Sequence, residues 1–182
     1  MDIIALRPPV GVTNFISLES DVSLANGIYR MRLQHPMLLS VMRHIAANYN
    51  NQLYAANGPG AMTAVAQQLG CDRTPVGLDD LLNATNNRTS QPIQPDHAEE
   101  CDWIALKLPV FLPVLWSRTK YLFQSPKKNE TFPPVETLYP ESLGVHYNNF
   151  QTRALEVQPG SLMQVLASGY CPVIFGKHPL LR

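Results

Sequence analysis

The sequence predicts an α/β fold, and three observations lead to that prediction. The opening stretch "DIIALRPP" is a continuous apolar run ended by a double proline, which is typical of a buried strand in a parallel sheet. Two further strand patterns follow over 13–19 and 25–33, and an Asn-Gly turn opens the second of them. Residues 35–50 then carry apolar side chains at helical spacing.

Two of the predicted helices have defined ends. Pro36 occupies a first helical position, and the residues predicted to form the apolar face of this helix are Leu38, Val41, Met42, Ile45 and Tyr49. The segment 57–70 reads as a turn feeding a second helix, with Pro59 near its start and Gly70 just past its end.

The C-terminal part of the chain predicts a strand and one more helix. A short strand is expected within 141–150. The pattern "SLMQVLASGYCP" then predicts a helix whose inward residues are Leu162, Val165 and Leu166, with Gly169 as its stop.

Length and charge bound the domain count and the class of partner. A chain of 182 residues can bury one sizeable core, so one domain over 1–182 is the default. Fourteen basic residues balance fourteen acidic ones, which argues against nucleic acid or an anionic membrane as the main partner, because both need a basic face. The longest apolar stretch is interrupted by prolines and is too short to span a bilayer. A small neutral or metal-neutralised ligand is therefore favoured.

Three sequons favour the secretory pathway. They begin at Asn83, Asn87 and Asn129, and a sequon is a glycosylation acceptor only in a chain that enters that pathway. The first two fall in a polar segment, 74–100, that is expected to be an exposed loop. Sequons also arise by chance in cytosolic proteins, but three within fifty residues favour glycosylation.

The three cysteines allow one disulfide in an oxidising compartment. Cys71 and Cys101 flank the polar segment and are the favoured pair, which leaves Cys171 over. The alternative is three unrelated buried thiols.

Two features carry candidate chemistry on their spacing alone. The "NGPG" turn at 57–60 directs backbone N–H groups and a positive helix end toward one spot, which favours a phosphate or a polarised oxygen. The alternative is a plain helix start. His146 lies in an otherwise apolar strand, where a lone histidine is most often a core residue with its hydrogen bonds satisfied. No nucleotide-binding glycine motif, zinc-ligand pattern or nucleophile elbow is present.

Six short segments occur in an order that resembles a known family. They are "ANG", "HP" before an amphipathic helix, "NGPG…T", "FLPVLWSRTKYLF", "GVHYNN" and "YCP". This series resembles the C-terminal region of the α-1,4-glycosyltransferases related to lactosylceramide 4-α-galactosyltransferase (globotriaosylceramide synthase), including the arthropod N-acetylgalactosamine-transferring members. The resemblance covers nearly the whole chain except 74–100.

The resemblance implies a metal site at the start of the chain. It aligns the opening strand with the D-x-D strand of a GT-A-type, Rossmann-like domain, so that Asp2 is the second acid and Met1 the middle residue. A divalent ion there neutralises the leaving diphosphate of the donor. His146 matches a position suited to a further ligand, and imidazole suits Mn²⁺ better than Mg²⁺, so Mn²⁺ is expected with Asp2 and His146.

The same alignment implies that the chain is a fragment. The first acid of the motif would precede Met1, together with the nucleotide-binding strands, a stem and a single membrane anchor. We therefore expect the 182-residue chain alone to be nearly inactive.

The resemblance also implies a donor- or acceptor-binding set. Its members lie in the "ANG" and "NGPG…T" segments: Asn26, Gly27, Asn57, Gly58, Pro59, Gly60 and Thr63. For Asn26 and Gly27 the alternative is a tight turn. The aromatic segment, with Phe111, Pro113, Trp116 and Tyr121, is expected to be core rather than a sugar-stacking platform.

Some positions depart from the family pattern, and no nucleophile is assigned. Asn148 stands where relatives carry Trp, Ala64 where they often carry Arg, and Asn57 and Gly60 where they often carry Gln.

The function implied by the resemblance is retaining transfer of a hexose. The intact protein would move galactose or N-acetylgalactosamine from a UDP-sugar to a glycosphingolipid in α-1,4 linkage, on the lumenal side of the Golgi membrane. The alternative is a non-catalytic carbohydrate-binding or interaction fragment.

Overall fold

The structure, a computed structural model, describes residues 3–9, 13–53, 55–83, 97–128 and 130–171. The chain divides into two compact units. The central unit is Pro9–Leu108, and the terminal unit combines Met1–Pro8 with Pro109–Arg182.

The described chain contains both strands and helices, which confirms a mixed α/β fold. In chain order the strands are β1 Ile3–Ala5, β2 Phe15–Ser20, β3 Ser23–Arg30, β4 Ile104–Leu106 and β5 Gly144–His146. The helices are α1 Pro36–Asn48, α2 Ala61–Gln68, α3 Leu78–Asn83, α4 Val135–Leu138, α5 Asn149–Thr152 and α6 Leu162–Tyr170. A one-turn π-helical segment covers Ala56–Gly60, and 3₁₀ turns cover Leu108–Val110 and Trp116–Phe123.

A three-stranded sheet in the order β3-β2-β4 organises the central unit. β2 is antiparallel to β3 and parallel to β4. Its buried side chains pack with those of α1 and α2 in one cluster that includes Ile16, Leu24, Met37 and Val65. This packing of helices on a sheet is what fixes the position of the loops at the sheet's edge.

The Asn-Gly pair does not make the hairpin turn that the sequence predicted. The chain reverses at residues 21–22, because Ser20 pairs with Ser23. Ile16 pairs with Tyr29 and Leu18 with Leu24, so five steps along β3 oppose two steps along β2. Residues 26 and 27 therefore lie in a bulge inside β3, where extra residues bend the strand and redirect its side chains.

Helix α1 begins where Pro36 predicts, but its buried face is different. Met37 and Val41 are buried and Ile45 packs partly against the core, a row at i, i+4, i+8. Met42 and Tyr49 are 66% and 69% exposed, so the face predicted through these two residues is wrong. The five predicted positions span a wider arc than the strip of the helix that faces the core cluster.

Helix α2 ends as the sequence predicts, at Gly70. Gly70 has φ +68°, and its N–H donates to the Gln67 carbonyl at 3.1 Å. The N–H of Cys71 donates to the Ala66 carbonyl at 3.0 Å, which completes a Schellman motif.

A disulfide joins Cys71, directly after this motif, to Cys101. Both cysteines are buried and belong to the apolar cluster of the central unit. Cys171, the third cysteine, is a free thiol.

The polar segment 74–100 is only partly the exposed loop that was expected. It contains α3, which buries Leu78 and Leu81. The leucines are spaced three apart and so share one face of the short helix. Asn83 ends α3, whereas the other two sequon asparagines, Asn87 and Asn129, lie outside the described residues.

The terminal unit corrects the prediction for the opening strand. β1 pairs antiparallel with β5 in a two-stranded ladder, with Ile3 opposite His146 and Ile4 opposite Val145. Ile4 is buried and Ala5 is exposed, so the run is half-buried rather than central in a parallel sheet. The short strand expected within 141–150 is β5.

Helix α6 covers the other side of the terminal unit's core. Ser161 caps its start by accepting a hydrogen bond from the Gln164 N–H, and Leu162 and Leu166 are fully buried. Val165 is 38% exposed, and Gly169 lies inside the helix instead of ending it. Both predictions for those two residues are therefore wrong.

The aromatic segment is only partly core. Phe111 is buried, but Trp116 and Tyr121 are 61% and 47% exposed. The 3₁₀ turn that carries them buries Thr119, Leu122 and Phe123 instead.

Among the described residues, no helix combines the length and the apolar character that crossing a bilayer requires.

Candidate functional site

A polar cleft of about 490 Å³ opens in the central unit beside the π-helical segment. β2, β3, the end of α1 and the loop that follows it form its walls. The polar side chains that line it are Glu19, Asn26, Tyr49, Asn50, Asn51 and Asn57. The cleft thus unites parts of both segments that the resemblance singled out, "ANG" and "NGPG".

The bulge in β3 brings Asn26 against Gly58. A Cβ on Gly58 would lie 2.6 Å from Nδ2 of Asn26 and 2.9 Å from its Cγ. Such distances are below any normal contact, so this approach requires a residue without a side chain. Glycine at position 58 therefore leaves the room that the Asn26 carboxamide occupies at the wall of the cleft.

We expect Gly58→Ala to turn the Asn26 carboxamide away while changing the free energy of unfolding by less than about 1 kcal/mol, since only a side-chain end must move. The side-chain NH₂ signals of Asn26 in a ¹⁵N-resolved NMR spectrum report this displacement. Gly27→Ala is the matched control, because no atom lies within 4 Å of a Cβ placed there. Unshifted Asn26 signals in Gly58→Ala would contradict the proposed contact.

Asn57 holds the loop after α1 in place. Its Nδ2 donates to the Asn50 carbonyl at 2.8 Å, and its Oδ1 accepts from the Asn50 N–H at 3.0 Å. The Oδ1 of Asn50 in turn accepts from the N–H groups of Gln52 and Leu53 at 2.8 and 3.2 Å. The two asparagines therefore act as a clamp that shapes the outer wall of the cleft.

Two of the backbone N–H groups that the sequence analysis assigned to a phosphate form hydrogen bonds inside the turn. The N–H groups of Gly58 and Gly60 both donate to the Ala55 carbonyl, at 3.1 and 3.0 Å. Pro59 has no N–H group to offer. Ala55 adopts a left-handed conformation, φ 63°, which directs its carbonyl toward both donors.

Thr63 has a structural role and does not line the cleft. Its Oγ1 donates to the Pro59 carbonyl at 2.8 Å and accepts from the Leu24 N–H at 2.9 Å. The hydroxyl thereby ties the turn to β3. Thr63, Gly27 and Gly60 do not line the cleft, whereas Asn26, Asn57, Gly58 and Pro59 do.

Glu19 is the functional candidate that the sequence analysis missed. It stands near the end of β2 with its side chain exposed, and partial desolvation of the carboxyl raises its pKa above the ordinary value of 4.5. The strand alternation and the position of Glu19 at a strand end were the available signals, but the wall opposite Glu19 is formed by residues about 30–40 positions later.

The raised pKa predicts that ionisation of Glu19 destabilises the fold. The folded chain holds the Glu19 proton more tightly than the unfolded chain does, so stability falls as pH rises through the two pKa values. The stability of Glu19→Gln relative to the parent should therefore be greater at about pH 7 than at about pH 3. Urea unfolding followed by Trp103 fluorescence measures this difference. Glu156→Gln, which removes an exposed carboxylate of the terminal unit, is the control, and an equal difference at both pH values would refute the prediction.

The proposed metal ligands belong to the terminal unit. His146 is partly buried in β5, and its backbone N–H donates to the Phe111 carbonyl at 3.1 Å. Asp2 lies outside the described residues, but the next residue, Ile3, is the ladder partner of His146. The described residues contain no group of three or more His, Cys, Asp or Glu side chains that could hold a metal ion. The His146 imidazole could supply one ligand to a cation, but one ligand alone does not form a metal site.

Comparison with known proteins identifies the family. Residues 30–178 match the alpha 1,4-glycosyltransferase conserved region. No curated protein and no solved structure matches the chain. The matched region contains the π-helical segment, the Asn57 clamp and His146, and it spans most of the chain. The chain therefore belongs to the alpha 1,4-glycosyltransferase family and carries a glycosyltransferase domain.

Proposed function

We propose that the intact protein transfers galactose or N-acetylgalactosamine from a UDP-sugar to a glycosphingolipid, in α-1,4 linkage and with retention of configuration. The family match over residues 30–178 carries the proposal. A polar cleft that combines carboxamides with one carboxylate supports it, because such groups exchange hydrogen bonds with sugar hydroxyls.

The metal assigned to this reaction is Mn²⁺, with Asp2 and His146 as ligands. When bound, the ion supplies neutralisation of the charge that develops on the leaving diphosphate. The pairing of Ile3 with His146 supports this choice, since it places the residue next to Asp2 directly across the ladder from the histidine.

Asn26, Asn57 and Gly58 have binding rather than chemical roles. Gly58 leaves room for the Asn26 carboxamide, and Asn57 fixes the loop that lines the cleft. Together they hold a saccharide in one orientation, which lowers the entropic cost of bringing the two substrates together.

The proposed location is the lumenal side of the Golgi membrane. The Cys71–Cys101 disulfide supports it, because such bonds persist in oxidising compartments. The sequons at Asn83, Asn87 and Asn129 support the same route.

Disruption of the gene in its source organism tests the proposed function. We expect the loss of glycosphingolipids that carry an α-1,4-linked terminal galactose or N-acetylgalactosamine, measured by mass spectrometry with linkage analysis. Reintroduction of the intact gene should restore them, as should the intact gene carrying Glu156→Gln. Asp2→Ala and His146→Ala, expressed at matched levels, should not restore them.

The outcomes separate the proposal from its alternative. An unchanged glycolipid profile after disruption would remove the proposed transfer. Restoration by both Asp2→Ala and His146→Ala would remove the proposed metal site and favour the alternative, a non-catalytic carbohydrate-binding or interaction protein.

A further inference from the structure

The charge of the cleft is negative. Among the described residues that line it, Glu19 is the one with a formally charged side chain, and no Lys, Arg or His is present. Phosphate groups in proteins are usually held by Arg or Lys or by free N–H groups at a helix start. A nucleotide diphosphate would therefore meet repulsion here rather than a counter-charge.

The backbone of the turn leads to the same conclusion. The Gly58 and Gly60 N–H groups are donated to the Ala55 carbonyl, and Pro59 has none. The helix α2 that follows is tied back through Thr63 and the Pro59 carbonyl. Two of the donors that would make this turn an anion site are therefore used inside the turn.

The remaining groups suit an uncharged polyol. The carboxylate of Glu19 accepts hydrogen bonds from hydroxyls, and the carboxamide of Asn26 both donates and accepts. Tyr49, which is 69% exposed, adds an aromatic ring and a hydroxyl to the same wall. A volume of about 490 Å³ lies within the usual range for small-ligand sites.

We propose that the cleft binds an uncharged saccharide ring, and that Glu19 determines its specificity by accepting hydroxyl hydrogen bonds and excluding the diphosphate. This rests on the proposed function, because the saccharide is either the hexose of the donor or the terminal hexose of the acceptor. The diphosphate then binds outside the cleft.

Titration of the ¹⁵N-labelled 182-residue chain tests the proposal. The probes are methyl α-galactoside and N-acetylgalactosamine for the donor sugar, lactose for the acceptor, and inorganic pyrophosphate for the anion. We expect at least one saccharide to shift the Gly58 backbone signal and the Asn26 side-chain signals, and pyrophosphate to leave both unchanged. The saccharide that binds more tightly identifies which substrate occupies the cleft.

Variants isolate the role of Glu19. Glu19→Gln keeps the shape and removes the charged acceptor, so we expect saccharide affinity to fall by about tenfold, the usual cost of losing a hydrogen bond to a charged group. Asn26→Ala should weaken binding by a similar factor. Glu156→Gln, in the terminal unit, should bind as the parent does.

Three outcomes would overturn the proposal. They are saccharide affinity in Glu19→Gln equal to that of the parent, the absence of any saccharide-induced shift at Gly58 and Asn26, and displacement of the saccharide by pyrophosphate. Glu19-dependent saccharide binding combined with an unchanged glycolipid profile after gene disruption would retain this inference and remove the proposed transfer. Loss of the glycolipids after gene disruption, without Glu19-dependent saccharide binding, would remove this inference and retain the proposed transfer.

Discussion

Replacement of Cys71 and Cys101 by alanine should lower the free energy of unfolding of the central unit by about 3 kcal/mol. The disulfide closes a loop with a sequence separation of 30, so its removal frees that loop in the unfolded chain. Both side chains are buried in the apolar cluster of the central unit. Alanine is therefore a better replacement than serine, because serine would bury a hydroxyl.

Urea unfolding followed by Trp103 fluorescence measures this effect. The chain has two tryptophans, of which Trp103 is buried in the central unit and Trp116 is exposed in the terminal unit. A Trp116→Phe background therefore makes Trp103 the sole reporter. Cys171→Ala is the matched control and should leave this transition in place. A double alanine variant that unfolds at the parent's urea concentration would show that the bond contributes nothing to stability.

His35→Ala should cost about as much, roughly 3 kcal/mol, although no covalent bond is lost. His35 is 1% exposed, and its Nδ1 accepts from the Met37 N–H at 3.2 Å, which caps α1. The ring proton therefore lies on Nε2, which donates to the Asp102 carbonyl at 3.3 Å. Alanine removes the cap, leaves the partly buried Asp102 carbonyl without this donor and opens a cavity at a fully buried position.

The same fluorescence assay distinguishes this role from general intolerance of the helix. His44→Ala changes a histidine in the same helix and should alter stability by less than about 0.5 kcal/mol. His35→Asn restores a capping oxygen and should recover about 1 kcal/mol of the loss. Equal stability of His35→Ala and His44→Ala would rule out the capping role.

The sequence predicted the features that depend on a few neighbouring residues. Pro36 at the start of α1 and Gly70 at the end of α2 were predicted because each satisfies a local backbone requirement. The sequence could not show which side of α1 faces the core, since Met37 and Met42 are equally apolar and tertiary packing alone separates them. The pairing partner of β1 could not be predicted from local patterns either, because β5 lies some 140 residues later in the chain.

The candidate site was predicted in part, for the same reason. Asn26, Asn57 and Gly58 entered through resemblance, and the structure places all three at one cleft. Glu19 was missed because its position relative to the turn depends on the β3 bulge, a register shift that no local pattern encodes. The structural role of Thr63 could not be predicted either, because its two hydrogen-bond partners, Leu24 and Pro59, belong to different elements.

The division of the chain into two units has a consequence for the order of events on the ribosome. The central unit is continuous in sequence, so all of its elements have been synthesised once residue 108 has emerged. β1 must wait far longer, because its ladder partner is made only when residues 144–146 appear. At ordinary synthesis rates of about 5–20 residues per second, that delay lasts many seconds. During this interval β1 lacks the pairing that β5 provides, so the backbone groups that will meet β5 stay open to other contacts.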